Sequence, residues 1–424
     1  MNQKTKLFHR DFTLVVIGQI ISLFGNAIIR FALPLYLLNI TGSAAYFGLA
    51  SALSFIPMIV LTPIGGMIAD RVNKRNIMVV LDFSTAALIA LFSISMGRLN
   101  LIVMLIITLM ILYGIQGVYQ PAVQASMPLL ADEGHLLQAN AVINQVSALS
   151  NLLGPIIGGV LFGLWGLTPI LVIGGICFFC SAVMEIFIHI PNVKTKKAAS
   201  ILVLVKSDFK ESMTFIVKEN PIILKGILIV AAFNLFLSSL VIVSMPVMIT
   251  QTLGMSDQMY GYAQGALAAG GLLGGILTGV LAKKLKIKQT AWLLLAASVM
   301  LLPMATVFLI NASSMSAYMI ITICSFGMMV TSTMFSVQML SFVQGQTPAH
   351  LIGKVISWVL ALAMCSQPVG QAMYGALFER FKMTPHIILF GSAFISILIA
   401  LAAGKIFRTM GAAEGKQGTE QFIA

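Results

Sequence analysis

Two carboxylates, Asp82 and Glu185, stand inside long apolar runs of this 424-residue chain, and His189 follows Glu185 by one helical turn. Taking a carboxyl out of water disfavours its charged form, so either group could pick up a proton and release it as its surroundings switch. An acid and a histidine at i, i+4 could titrate together. Both acids are equally explained as residues near the end of a run that pair with basic loops. Arg30 is the only arginine well inside an apolar run, its guanidinium cannot shed its charge, and Asn26 lies one turn before it on the same helical face. The functional reading is recognition of an anionic or carbonyl-rich group; the structural one is a side chain that snorkels to the surface or caps a broken helix end. Cys177 and Cys180 have the spacing of half a metal or redox motif, but no second pair follows. With Cys324 and Cys365 they read as small buried apolar residues. No run holds a nucleophile and a base at workable spacing, and no metal-ligand cluster appears, which argues against an enzyme and implies no cofactor.

The elements that must position these groups follow from composition. With 59% hydrophobic residues, 9% charged residues and a mean hydropathy of +1.00, the chain lacks the charge a water-facing surface needs, roughly a quarter to a third of its residues. A spanning helix takes about 20 apolar residues. Twelve such stretches can be cut, near 12–39, 44–69, 77–97, 101–120, 141–164, 169–190, 222–251, 259–281, 290–310, 316–342, 355–378 and 386–406. Lipid offers no partner to backbone amides, so spans are helices or a closed barrel, and runs this long without strict alternation are helices. The expected fold is all-α, a polytopic membrane protein of twelve transmembrane helices. They fall in two pseudo-symmetric six-helix bundles, because one unit is written twice. Gly66 to Arg75 is matched half a chain later by Gly279 to Lys288, Val142, Ile143 and Pro155 by Val355, Ile356 and Pro368, and Gly48 by Gly261. Internal repeats of this kind mark secondary transporters, whose substrate site lies where the repeats meet.

Basic residues set the orientation. Lys4, Lys6, Arg10, Arg71, Lys74, Arg75, the lysines from 194 to 218 and those from 283 to 288 fall on one side, whereas the other side carries only Arg98, Arg380 and Lys382. That asymmetry places both termini in the cytoplasm of a multi-pass protein of the cell membrane. It also explains the net charge of +12 without nucleic acid as a partner, since anionic lipid and topogenic loops suffice. The expected division is a bundle at 1–190, a cytoplasmic linker at 191–221, a second bundle at 222–407 and a disordered tail at 408–424. In the linker Leu202, Val205, Phe209, Met213 and Ile216 share one helical face, with Lys206, Lys210, Glu211 and Lys218 elsewhere. Such a helix would lay its apolar stripe in the headgroup boundary.

Small residues and one acid complete the pattern. Gly66 would let neighbouring helices approach, and Asp70 could bond a facing helix amino terminus or the cluster of Arg71, Lys74 and Arg75. Lys283 stands where Asp70 stands in the first copy, so the acid is not simply repeated topogenic chemistry, although a stop-transfer cluster remains the bland alternative. Gly154, Pro155, Gly158 and Gly159 give the fifth span a smooth face and a kink, suited to sliding contacts or to static packing.

On these residues the chain resembles major facilitator superfamily transporters, and among them the drug and metabolite exporters grouped with macrolide efflux proteins. Gly66 to Arg75 resembles the superfamily's loop between helices two and three, and Gly154 to Gly159 the glycine-proline motif of antiporter helix five. Also similar are Ala32-Leu33-Pro34, Thr41-Gly42-Ser43 and Gln120-Pro121-Ala122. The resemblance implies that Gly66, Asp70, Arg71 and Arg75 form a latch on the cytoplasmic side. It further implies that helices one, four, seven and ten line a chamber, with Asn26, Arg30, Tyr113, Gln116, Gln120, Asn234 and Gln338 as substrate-binding residues beside Phe24, Phe233 and Phe335. The implied activity is export of amphipathic small molecules by alternating access with proton antiport, by a monomer in the bilayer. Alternatives are export or flipping of an anionic metabolite or lipid, such as a siderophore or lysophospholipid, and a membrane sensor that does not transport. Related exporters often carry an acid around position 26, where this chain has Asn26, which leaves Asp82 and Glu185 as the candidates for proton coupling.

Overall fold

Helices account for the chain in this computed structural model, with no strand among the described residues, which are 7–98, 100–132, 134–190, 209–281, 287–348 and 351–423, without side chains at 70, 288 and 409–423. Twelve helices are long and apolar enough to cross a membrane: α1 (Arg10–Thr41), α2 (Ala44–Ala69), α3 (Lys74–Ser95), α4 (Leu101–Leu130), α5 (Leu136–Trp165), α6 (Leu167–Ile186), α7 (Pro221–Thr252), α8 (Asp257–Leu281), α9 (Thr290–Leu309), α10 (Ser314–Gln346), α11 (Ile352–Arg380) and α12 (Pro385–Arg408). Several outrun the apolar stretches read from sequence. α4, expected to stop at Gln120, continues through Pro121 and Pro128 to Leu130. A 30-residue helix is about 45 Å long against a hydrocarbon core of about 30 Å, so its ends project beyond the apolar zone that hydropathy detects. The joints are short because their residues suit helix ends. Gly42 closes α1 in the left-handed region, its N–H returning to Leu38 O, and Ser43 then caps α2 by accepting from the Tyr46 N–H.

The contacts sort into two compact units, residues 1–199 with 256–265 and residues 200–255 with 266–424. In the first, α2 and α4 approach at glycine. A Cβ on Gly65 would lie 2.6 Å from Val118 Cα and 2.8 Å from Gly117 O, and one on Gly117 would lie 3.0 Å from Met58 O. A Cβ on Gly66 would meet open space. The close approach expected of Gly66 therefore belongs to its neighbour, because successive helical residues point about 100° apart. Gly154 and Gly158 face Ala27, Ile28 and Phe31 of α1 within the same unit, whereas Gly159 and Pro155 O lie against Gly261 in the first turns of α8. The glycine face of α5 thus serves two neighbours.

The second unit packs α7 on α11 at a backbone irregularity. α7 widens into a π turn at Asn234–Ser238, where Ser366 Oγ donates to Ala231 O and Tyr374 OH to Phe236 O, both at 2.8 Å. Such turns leave carbonyls without helical partners, and in lipid those must be satisfied by neighbouring helices. The apolar stripe of the linker is also covered in part by protein. Leu202, Val205 and Lys206 lie outside the described residues, but beyond them Phe215 and Ile216 are buried with Ile223, Ile227, Val355 and Val359. Phe209 meets Trp358 edge-on, and Lys354 Nζ donates to Glu211 at 2.8 Å. Of the described part of the stripe, Met213 and Ile216 pack on a bundle wall, while Phe209 stays exposed beside Trp358. The final helix runs on to Ile423, where a disordered tail was expected from 408. Ala412, Ala413, Glu414, Lys416 and Gln417 are good helix formers, and extending an existing helix needs no new nucleus.

The α2–α4 contact separates two adjacent glycines. Gly65→Ala is expected to destabilise the protein by about 1–3 kcal/mol, the usual cost of overpacking. Gly66→Ala is expected to be neutral or to stabilise by up to about 1 kcal/mol through helix propensity. Thermal unfolding of the two variants in detergent checks the difference.

Candidate functional site

The site is built on one face of α1. Gln19, Ser22, Asn26 and Arg30 follow helical spacing, and each meets a polar or aromatic partner on another helix of the first unit. Ser22 Oγ donates to Asp82 Oδ2 of α3 at 2.5 Å and lies 2.9 Å from Ser181 Oγ of α6. Gln19 Nε2 donates to Tyr119 OH of α4, which donates to Glu185 Oε1 of α6, both at 2.8 Å. One turn further, Asn26 Nδ2 donates to Gln116 Oε1 at 3.0 Å. Gly18 lies at the α1–α6 contact, where its carbonyl accepts from Ser181 Oγ at 3.3 Å and an added Cβ would make ordinary contact with Glu185 and Ser181 at 3.5 Å.

Asp82 and Glu185 are 2% and 1% exposed, and among the described residues neither pairs with a cationic side chain. The reading of these acids as partners of basic loops is therefore corrected. So is the pairing of Glu185 with His189. α6 ends at Ile186, which turns His189 outward to 82% exposure, where its N–H donates to Asp11 and its ring stands 4.0 Å from the same carboxylate. Two carboxyls held in an apolar bundle by hydroxyls and amides are costly to keep, and such intramembrane acids mark ion or proton pathways more often than packing. Three buried oxygens of this cluster, Gln19 Oε1, Asn26 Oδ1 and Glu185 Oε2, have no partner, and all three are acceptors. A cavity of about 10 Å³ opens among Ser22, Asn26, Asp82, Gln116, Tyr119 and Phe178.

The other expected substrate residues fall in different settings. Arg30 lies over the ring of Tyr113, its guanidinium carbon 3.6 Å from the centroid, and Phe55 packs on the same ring at 5.3 Å. A cation on an aromatic face is stabilised by about 0.5–2 kcal/mol, depending on desolvation, so this contact holds Arg30 without neutralising it. Gln120 and Gln338 are half-buried. Asn234 is turned into the α7–α11 contact, donating to Ala363 O at 2.9 Å and accepting from Ser238, because the π turn that begins there rotates it towards α11. Arg75 donates to Ile186 O at the carboxyl end of α6, and Asn73 Nδ2 to Ile190 O at 3.4 Å, so the basic cluster ties α3 to α6 inside one unit. Arg71 is exposed, and the side chain of Asp70 lies outside the description. Gln19, Ser22, Tyr119 and Ser181 were not singled out from sequence. The signal was present for two of them: Gln19 and Ser22 continue the Asn26–Arg30 stripe at helical spacing.

This arrangement of twelve spans with a polar core agrees with what the chain resembles among known proteins. The profile of the Major Facilitator Superfamily matches residues 15–365. Macrolide efflux protein A of Streptococcus pyogenes is 22% identical over 389 residues, covering 92% of this chain and 94% of that protein. The uncharacterized MFS-type transporter YfiS of Bacillus subtilis is 26% identical over 364 residues, covering 83% and 82%. In fold, the chain is similar to a crystal structure of the nucleoside transporter NupG, with a TM-score of 0.75 at 12% identity over 94% of this chain and 99% of that one. With the family profile spanning residues 15–365 and twelve described helices long and apolar enough to cross a membrane, the chain belongs to the Major Facilitator Superfamily.

Proposed function

We propose that this protein exports amphipathic small molecules of the macrolide type by alternating access, in exchange for protons, as a monomer in the cell membrane with both termini in the cytoplasm. The observation that carries the coupling is the buried pair Asp82 and Glu185, joined to α1 and α4 by Ser22, Gln19 and Tyr119 and free of cationic partners among the described residues. A carboxyl so placed binds a proton from one side and loses it when access switches. The similarity to macrolide efflux protein A supports the substrate class, and the basic residues collected on one side support the orientation. Substrate recognition is assigned to Asn26, Arg30, Tyr113, Gln116, Gln120 and Gln338, with Asn234 acting through the α7–α11 contact. Asp70, Arg71 and Arg75, with Gly66 beside them, are assigned to the cytoplasmic latch, and Gly154, Pro155, Gly158 and Gly159 to the packing that lets helices slide. Rocking between two states around such a site is the general mode of this architecture.

A second reading is export or flipping of an anionic metabolite or lipid. Arg30 favours it, since its guanidinium is half-buried on Tyr113 with no carboxylate partner among the described residues.

In proteoliposomes with an imposed pH gradient and an enclosed pH dye, adding a macrolide is expected to release the gradient through the wild type. Asp82→Asn and Glu185→Gln are each expected to slow that release strongly, to a residual but measurable rate, while the protein still inserts and folds. Release at the wild-type rate in both variants would refute the assignment of coupling. Arg30→Ala is expected to raise the half-saturating concentration of anionic substrates by about tenfold, the worth of one charge-assisted hydrogen bond. Neutral macrolides measured in the same vesicles should be little affected.

A further inference from the structure

The cavity beside Asp82 has a chemistry that proton exchange alone does not use. Its polar wall comes from three helices, with Ser22 and Asn26 on α1, Asp82 on α3, and Gln116 and Tyr119 on α4. Phe178, Leu23 and Ile115 close it with apolar surface. Its volume of about 10 Å³ is room for one water-sized body. The hydroxyl protons nearby are already given away, that of Ser22 to Asp82 and that of Tyr119 to Glu185. The lining oxygens keep free acceptor capacity. Asn26 is nine-tenths buried, spends Nδ2 on Gln116, and leaves Oδ1 without a partner. Gln116 Oε1 accepts that one bond and keeps a second lone pair.

A water molecule would donate to these oxygens but would leave the charge of the carboxylate uncompensated. A cation answers both needs. The donor set is oxygen only, and no group of three His, Cys, Asp or Glu stands together among the described residues, so the ion is hard and is not a thiolate- or imidazole-seeking metal. One carboxylate on the cavity wall balances one positive charge. Glu185 does not line the cavity and meets it only through Tyr119, so Asp82 is the one carboxylate that a bound ion would touch, and a divalent ion would be less well balanced there.

We propose that this cavity binds a sodium ion, held by the Asp82 carboxylate, Asn26 Oδ1, Gln116 Oε1 and the Ser22 hydroxyl. Gln19 Oε1 and Glu185 Oε2 keep the surroundings acceptor-rich without touching the ion. Binding of the ion does not depend on what the protein transports; only its use as a coupling ion rests on the exporter reading.

The test uses purified full-length protein at pH 8, with sodium, potassium and choline chlorides exchanged at constant ionic strength. Thermal unfolding and equilibrium binding of radioactive sodium are both read. Sodium is expected to raise the melting temperature saturably and to bind at one ion per chain, with potassium and choline without effect. Asp82→Asn should abolish both, and Asn26→Ala should weaken binding by about tenfold for the lost ligand. The proposal is overturned if sodium has no specific effect, or if Asn26→Ala binds as the wild type does, a comparison that stands even if Asp82→Asn fails to fold. It is also overturned if calcium or magnesium stabilises at lower concentration than sodium, or if lowering the pH in choline stabilises the protein and sodium does not, which would leave the carboxylate to the proton alone. Macrolide transport by the same protein in liposomes, measured both in sodium and in choline, separates the two readings. Sodium binding without transport sinks the exporter reading only, and transport without sodium binding sinks this proposal only.

Discussion

Two carboxylates, Asp82 and Glu185, are held inside an apolar bundle by groups that can hydrogen-bond them but cannot neutralise them, and the first unit is arranged around that constraint. Four helices contribute to it. α1 supplies a stripe of amide and hydroxyl side chains, α3 and α6 the acids, and α4 the tyrosine that joins Gln19 to Glu185. α1 and α6 meet directly at this network, with Ser181 Oγ donating to Gly18 O, so the backbone packing and the polar network share one contact. Charge burial of this kind weakens a bundle unless a proton or another cation accompanies it, which makes occupancy and packing interdependent.

The second unit solves a different problem with similar residues. Several of its polar side chains serve the backbone. Asn234, Ser366 and Tyr374 take up hydrogen bonds around the π turn of α7, and no carboxylate among the described residues is buried in its spans. A repeat in sequence therefore carries unequal chemistry, with ionisable groups in one copy and a braced, irregular helix in the other. Among the described residues both units keep buried polar atoms without partners, Gln371 Nε2 and Oε1 in the second among them, but only in the first do such acceptors stand beside buried carboxyls.

Much of the fold was legible in the sequence because lipid enforces it: twelve apolar runs of helical length can be little else. The edges were less so, since α4 continues past Pro121, its last turns burying Ala122, Val123, Met127 and Leu130 in the bundle. At the site, Asp82, Glu185, Asn26 and Arg30 stood out because polar groups in apolar runs are costly. Of their partners, Gln19 and Ser22 could have been read from the same helical stripe, but Ser181 and Tyr119 are ordinary span residues until tertiary packing sets them near an acid. Rules of spacing also misled. Glu185 and His189 are four apart, but the helix ends between them, and Gly65, not Gly66, carries the close contact that the motif suggests.

The central claim is that Asp82 and Glu185 work as one unit through the hydroxyls between them. A double-mutant cycle on proton-driven macrolide transport tests it most directly, comparing Asp82→Asn, Glu185→Gln and the two together. Residues acting as a unit lose little more when both are removed than when either is. The account predicts a double variant no slower than the worse single one. Losses that multiply would show two independent acids and contradict it.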